Sequence, residues 1–159
     1  MGIATTVRDY LDEAGVDYQL VHHEYTPNSR SAADSARVPP DQLAKPVLLE
    51  DDKGYLVAVV PASRRVALET LQRQLGRRLV LATEREVQDV FSDCSKGAIP
   101  AVGQAYGLDV VWDDCLAACP DVYFEAGDHM DLVRMSGKEF TFLMGRRAHG
   151  PISTPDTRH

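Results

Sequence analysis

Lys45 stands immediately before the apolar run Pro46-Val47-Leu48-Leu49. A lysine at such a junction is either a surface cation marking the strand's end or an ammonium held at a pocket mouth to bind an anionic or carbonyl oxygen. Gly97-Ala98-Ile99-Pro100-Ala101-Val102-Gly103 is a run of small residues. Glycine lets a backbone approach a ligand closely and proline fixes a loop's shape, so amides there could face a developing oxyanion. A plain connecting loop would use the same residues. Gly127-Asp128-His129 offers an imidazole as general base or hydrogen-bond donor, or forms a polar turn. His22-His23 and Asp113-Asp114 are adjacent pairs, and in extended chain adjacent side chains face opposite sides, so neither pair makes one site.

Several chemistries are excluded by what is missing. Cys115-x-x-x-Cys119 lacks the second Cys or His pair of a zinc site, and no pattern joins it to Asp128, His129 and Asp131, so no metal is expected. Ser63 lacks the Gly-x-Ser-x-Gly setting of a nucleophile elbow. There is no Gly-x-x-x-x-Gly-Lys-Ser/Thr and no Gly-x-Gly-x-x-Gly, which argues against nucleotide-driven and dinucleotide redox chemistry. No cofactor is expected.

The elements that must position these groups follow from periodicity. Val7, Tyr10, Leu11 and Ala14 recur on one helical face, with Thr6 and Asp9 as a capping pair and Gly15 as the stop. Asp17–His22 reads as a strand, Thr26–Arg30 as a loop and Ser31–Arg37 as a short helix ended before Pro39-Pro40. Pro46–Glu50 and Tyr55–Val60, joined by Asp51-Asp52-Lys53-Gly54, form a hairpin. A helix is expected over Arg65–Leu75 and a strand over Leu79–Ala82. Thr83 with Glu86 forms a capping box that opens a helix to about Phe91. Ser92–Gly103 is a loop. Val110–Trp112, Val122–Phe124 and Asp131–Met135 read as strands, and Ser136 with Glu139 opens a last helix to about Met144. The fold class is α+β: a mixed sheet or small barrel flanked by helices. One domain, residues 1–146, is followed by an expected mobile tail, 147–159.

Composition narrows the function further. The chain has 159 residues, 44% hydrophobic and 26% charged, which is ordinary globular usage. Net charge is −7, which argues against a protein that holds nucleic acid by bulk electrostatics. One stretch departs from that balance. Arg64, Arg65, Arg73, Arg77 and Arg78 face only Glu69 across residues 64–78, and they are either a solvated face or phosphate contacts. No apolar run is long enough to span a membrane, and Met1–Thr6 shows no secretory pattern. The three cysteines therefore read as reduced thiols in the cytoplasm.

Taken in order, these pieces form a pattern. Ala44-Lys45 opening a strand, the Asp-Asp-Lys-Gly hairpin, Pro61-Ala62-Ser63-Arg64-Arg65-Val66, Leu79, Thr83-Glu84-Arg85-Glu86, Asp93 to Pro100, Tyr106-Gly107 and Tyr123 to His129 together resemble the YbaK/ProX family. That family comprises freestanding aminoacyl-tRNA deacylases similar to the editing domain of bacterial prolyl-tRNA synthetase. The match runs from about Val7 to Met144.

The resemblance implies a trans-editing hydrolase that cleaves the ester of a mischarged aminoacyl-tRNA, with alanine or cysteine on the proline tRNA as the natural substrate. It implies catalytic roles for Lys45 and for the backbone of Gly97, Ala98 and Ile99, with water as the attacking group. It places Pro100, Ala101, Gly127 and His129 at the substrate, with Ser63 of the matching Pro61–Val66 run beside them. A chain of net charge −7 that reads only the acceptor end needs few phosphate contacts, and Arg64, Arg65, Arg73, Arg77 or Arg78 is expected to supply some of them. Partners would be the aminoacyl-tRNA acceptor end and a synthetase, with no DNA and no membrane. A non-catalytic module that binds aminoacyl-tRNA or a synthetase is the alternative. Two positions depart from the family: Ala101 where a proline is usual, and Glu125 where many members carry the Asn of Asn-Ala-Gly, which places a carboxylate near the site.

Overall fold

The computed structural model describes residues 2–24 and 36–156. Its centre is a five-stranded sheet in the order β5-β2-β3-β6-β9. These strands are β2 (Ala44–Asp51), β3 (Gly54–Pro61), β5 (Val80–Leu81), β6 (Asp109–Asp113) and β9 (Ala148–Gly150). β2 pairs antiparallel with β3 and β5, while β3–β6 and β6–β9 are parallel, so the sheet is mixed. With β5 and β9 left as edges, it is not closed into a barrel. A second, antiparallel sheet has the order β1 (Gln19–His22), β8 (Asp131–Ser136), β7 (Asp121–Glu125). A third pairs β4 (Arg64–Val66) with β10 (Ser153–Pro155). Four α-helices lie among the described residues: α1 (Thr5–Ala14), α2 (Leu68–Leu75), α3 (Glu84–Val90) and α4 (Gly137–Met144). The α+β class and its mixed sheet hold.

β3 shows how the sequence builds the core. From Leu56 to Pro61 every residue is buried, as expected of a central strand covered on both faces. Alternate side chains enter different layers. Val57 and Val59 join a cluster with Val7, Leu11, Trp112, Phe124 and Phe140, beneath α1, the three-stranded sheet and α4. Leu56, Ala58 and Val60 join Leu71 of α2 and Ile152 on the other face. Lys45 pairs with Val60 and shares the face of Val47 and Leu49, so its side chain belongs to the α2/β10 side.

Several local expectations are corrected. The hairpin loop is two residues, Asp52-Lys53, because Asp51 and Gly54 already pair, and the Asp51 carboxylate accepts from the Lys53 and Gly54 amides. α1 begins at Thr5 behind Ala4 without a side-chain cap of its own. Its Thr6 amide donates instead to Asp93 Oδ2 at 3.0 Å, from a loop far along the chain. The Thr83/Glu86 capping box is present with both halves, whereas Ser136 supplies only the forward half at α4. The expected helix over Arg65–Leu75 starts at Leu68, since Arg64–Val66 is drawn into β4 by β10. Residues 147–156 hold two strands and the fully buried Ile152 where a mobile tail was expected, because Asp113 Oδ2 accepts from the Ile152 amide and the Ser153 hydroxyl. The loop expected at Thr26–Arg30 and most of the helix expected at Ser31–Arg37 lie outside the described residues.

Candidate active site

Lys45, Gly97 and Ile99 meet in one cleft of about 440 Å³, although the lysine and the glycine are 52 positions apart in the chain. β2 forms one wall, and the other comes from α3 and the loop that follows it. Lys45 is half-buried, and its Nζ donates to the Arg64 carbonyl at 3.0 Å, so the ammonium has a fixed place. The rest of the wall is apolar, with Val47, Leu48, Leu81, Ala82 and Val87. Glu84 and Asp156 add carboxylates to the same lining. An apolar pocket with a few fixed polar groups is the usual form of a small-ligand site.

The glycine loop turns toward this cleft through Gly97, whose φ of 82° is a left-handed conformation that other residues rarely adopt. The three amides of Gly97, Ala98 and Ile99 differ in their hydrogen bonding. The Ala98 amide donates to the Ser95 carbonyl at 3.0 Å and its methyl is fully buried. The Gly97 and Ile99 amides have no hydrogen-bond partner among the described residues. Pro100 and Ala101 are buried, and Ala101 packs in the main core rather than in the cleft lining.

Gly127 and His129 do not line the cleft either; they brace the loop from behind. The Gly127 carbonyl accepts from the Ser95 amide at 2.8 Å, and His129 Nε2 donates to the Lys96 carbonyl. Gly127 has a φ of 106°, and a β-carbon there would sit 3.0 Å from the Ala4 methyl and 3.3 Å from Cys94 Sγ, so a side chain would be both strained and crowded. Ser63 donates its hydroxyl to Asp41, and its carbonyl accepts from the Asp156 amide.

The arginine stretch divides in two. Arg64 is fixed by Ser153, donating from Nε to its hydroxyl at 2.6 Å and from Nη2 to its carbonyl at 2.9 Å. Arg77 forms a two-point pair with Asp51 at 2.7 and 2.8 Å, and it holds that carboxyl well below the usual carboxylate range. Arg65, Arg73 and Arg78 are exposed. Sequence reasoning could not separate the two groups, because Ser153 and Asp51 are distant in the chain.

The cysteines are poor nucleophiles. Burial pushes the Cys94 thiol up to about 11, and Cys115 and Cys119 are raised as well, the first by its bond to Asp113 and the second by burial. Among the described residues no group of three His, Cys, Asp or Glu could hold a metal, and no helix is long and apolar enough to cross a membrane.

The aminoacyl-tRNA editing domain, as a family model, matches residues 23–143. The chain belongs to that family. Among curated proteins no match was found. Solved structures share the editing-domain fold. One, a hypothetical protein, superposes with a TM-score of 0.83 at 21% identity, over 94% of this chain and 99% of its own. A scaffold protein used for epitope backbone grafting gives 0.81 at 22%, over 95% and 96%. A protein proposed as a trans-editing enzyme for prolyl tRNA synthetase gives 0.80 at 24%, over 95% and 96%.

Within this editing domain Glu125 needs a physical account. Its side chain is almost fully buried at the end of β7, and Oε1 lies 3.7 Å from Nε2 of the equally buried His23. Neither carboxyl oxygen has a hydrogen-bond partner among the described residues. Desolvation first, then the charges of Asp128 and Asp131, push its pKa up to about 8. At neutral pH the group therefore keeps its proton and resembles the neutral amide of other family members more closely than its residue type suggests. His22, next to His23, points outward to Asp131, as the alternation of a strand requires.

The sign of the pH effect follows from that shift. The folded-state value lies above the ordinary 4.5, so Glu125's contribution is complete below about 4.5 and is lost as pH rises through about 8. Glu125→Gln should remove this loss. Its stability relative to wild type should rise by on the order of 2 kcal/mol between about pH 5 and pH 8, the neighbouring imidazole offsetting part of the full linkage value. Urea titrations of both proteins at the two pH values measure this, and parallel pH profiles would contradict it.

Proposed function

We propose that this protein is a trans-editing deacylase that hydrolyses the ester between a small amino acid, alanine or cysteine, and the terminal adenosine of the proline tRNA. The observation that supports it most is the convergence of Lys45 with Gly97 and Ile99 in one cleft of an editing-domain chain. An aminoacyl ester is already activated, so no strong protein nucleophile is needed. The Gly97 and Ile99 amides bind the carbonyl oxygen as it gains charge, and Lys45 holds the terminal phosphate or that carbonyl in place. Water attacks, assisted by the substrate's own ribose hydroxyl. His129 acts indirectly, by holding the Lys96 carbonyl and so the start of the loop.

The apolar wall suits a short side chain. A synthetase pocket rejects a residue lacking one methylene by only about 1–3 kcal/mol, and a second site of limited size corrects the error. The test is a panel of tRNAs charged with alanine, cysteine, serine, valine and proline. Release of alanine or cysteine with proline retained supports the reading, and indiscriminate or absent release contradicts it.

With net charge −7, tRNA binding must rest on a local cluster of cations. In this reading Arg65, Arg73 and Arg78, the exposed members of the stretch, meet acceptor-stem phosphates. Reversing all three to glutamate should weaken tRNA binding at low salt. The slope of log affinity against log salt should fall by roughly 0.9 for each duplex phosphate that is no longer neutralised. Filter binding across a salt series reads this, and an unchanged slope would remove the role.

A further inference from the structure

The cleft contains a carboxylate that ester hydrolysis by Lys45 and the loop amides does not use. Asp156 lines it, half-buried, from the segment just after β10. Its position is built into the fold. Pro155 pairs with Arg64, and the Asp156 amide donates to the Ser63 carbonyl. The next carbonyl along that same segment, of Arg64, takes the Lys45 ammonium. Ser153, three residues before Asp156, fixes the Arg64 guanidinium and is itself held by the buried Asp113. Two opposite charges thus reach one cleft, Asp156 from the end of β10 and Lys45 from β2, each hydrogen-bonded to a backbone carbonyl of the Ser63-Arg64 segment.

We propose that Asp156 is a specificity residue that binds the α-ammonium of the aminoacyl group. This rests on the deacylase reading above. The substrate has an anionic phosphate and a polar ester at one end and a cationic ammonium beside the ester carbonyl. Lys45 matches the first and a carboxylate matches the second, whereas an N-blocked aminoacyl group would leave the carboxylate facing a neutral amide. Glu84, the other carboxylate of the lining, is exposed in the first turn of α3, where water screens it.

Deacylation of alanyl-tRNA and of N-acetylalanyl-tRNA by wild type and by Asp156→Asn tests this. Wild type should prefer the free amine. Asp156→Asn should raise KM for alanyl-tRNA by roughly 10-fold, a loss typical of one charge-assisted hydrogen bond, and leave KM for the acetylated substrate unchanged. Equal losses on both substrates, which a merely structural role would give, would overturn the inference. So would unchanged kinetics, or a free-amine preference lost in Glu84→Gln and kept in Asp156→Asn. Wild-type protein that hydrolyses neither substrate would overturn the deacylase reading, and this inference with it.

Discussion

Lys45→Ala should lower kcat/KM for release of the amino acid by about 100-fold or more, the scale seen when one positioned electrostatic group is removed from a reaction centre. The reason is geometric. The ammonium is anchored on the Arg64 carbonyl, Lys45 lines the cleft with Gly97 and Ile99, and no other lysine lines it among the described residues. Alanine leaves the cleft's walls in place but supplies no charge to the phosphate or carbonyl. Lys45→Arg should recover only part of the loss, because the planar guanidinium places its donors differently from a compact ammonium. Stability should change less than activity, since the residue is half-buried and a hydrogen bond from a charged group is worth about 1.5–3 kcal/mol. Single-turnover rates with mischarged tRNA, alongside thermal melts, separate the two effects. A Lys45→Ala protein with full kcat/KM would remove Lys45 from the mechanism.

The largest effect on folding should come from Gly137→Ala. A β-carbon at Gly137 would sit 2.0 Å from the Cys119 carbonyl oxygen, and that neighbour is backbone rather than a flexible side-chain end. The Gly137 amide also donates to the Pro120 carbonyl, so the start of α4 and the end of β8 are fixed against the turn before β7. Relief requires moving α4, which carries the buried Phe140, Leu143 and Met144. We expect a cost of about 4 kcal/mol, in the range that marks a real steric or packing failure. For a chain of this size that is a fall in Tm of roughly 10 °C or more. Differential scanning calorimetry measures it. Gly2→Ala, where nothing lies within 4 Å, serves as the control and should melt with wild type. A Gly137→Ala protein that also melted with wild type would contradict the packing described for α4.

How far the sequence could be read depends on the distance over which each element is decided. The Thr83/Glu86 box closes within one helical turn, and both halves are there. The β2–β3 hairpin closes within a few residues, and its alternation was legible, although the loop proved shorter. α1 shows the limit: its Thr6 amide is capped by Asp93, 87 residues along the chain, so the nearby Thr6/Asp9 pair was a false local signal. β4 exists only because β10 pairs with it, and β10 exists only because Asp113 and Arg64 hold Ser153. Short strands of three residues carry too little periodicity to announce such a partnership.

The candidate site divides in the same way. Lys45 and the glycine loop were identified by residue type and by the ordered resemblance, and the fold brings them together. Glu125 read as a charged departure because desolvation cannot be seen from a residue's type. Arg64 and Arg77 read as free cations because their partners are remote. Asp156 was assigned to a tail, although it lines the cleft, since nothing near it in the chain shows that residues 153–155 form a strand.

The most direct test is a multiple-turnover assay: alanyl-tRNA for proline in tenfold excess over the purified protein, with free alanine followed over time. The account predicts alanine released well beyond one equivalent per protein, with correctly charged prolyl-tRNA left intact under the same conditions. Release that stops at or below one equivalent, or tRNA bound without any release, would contradict it.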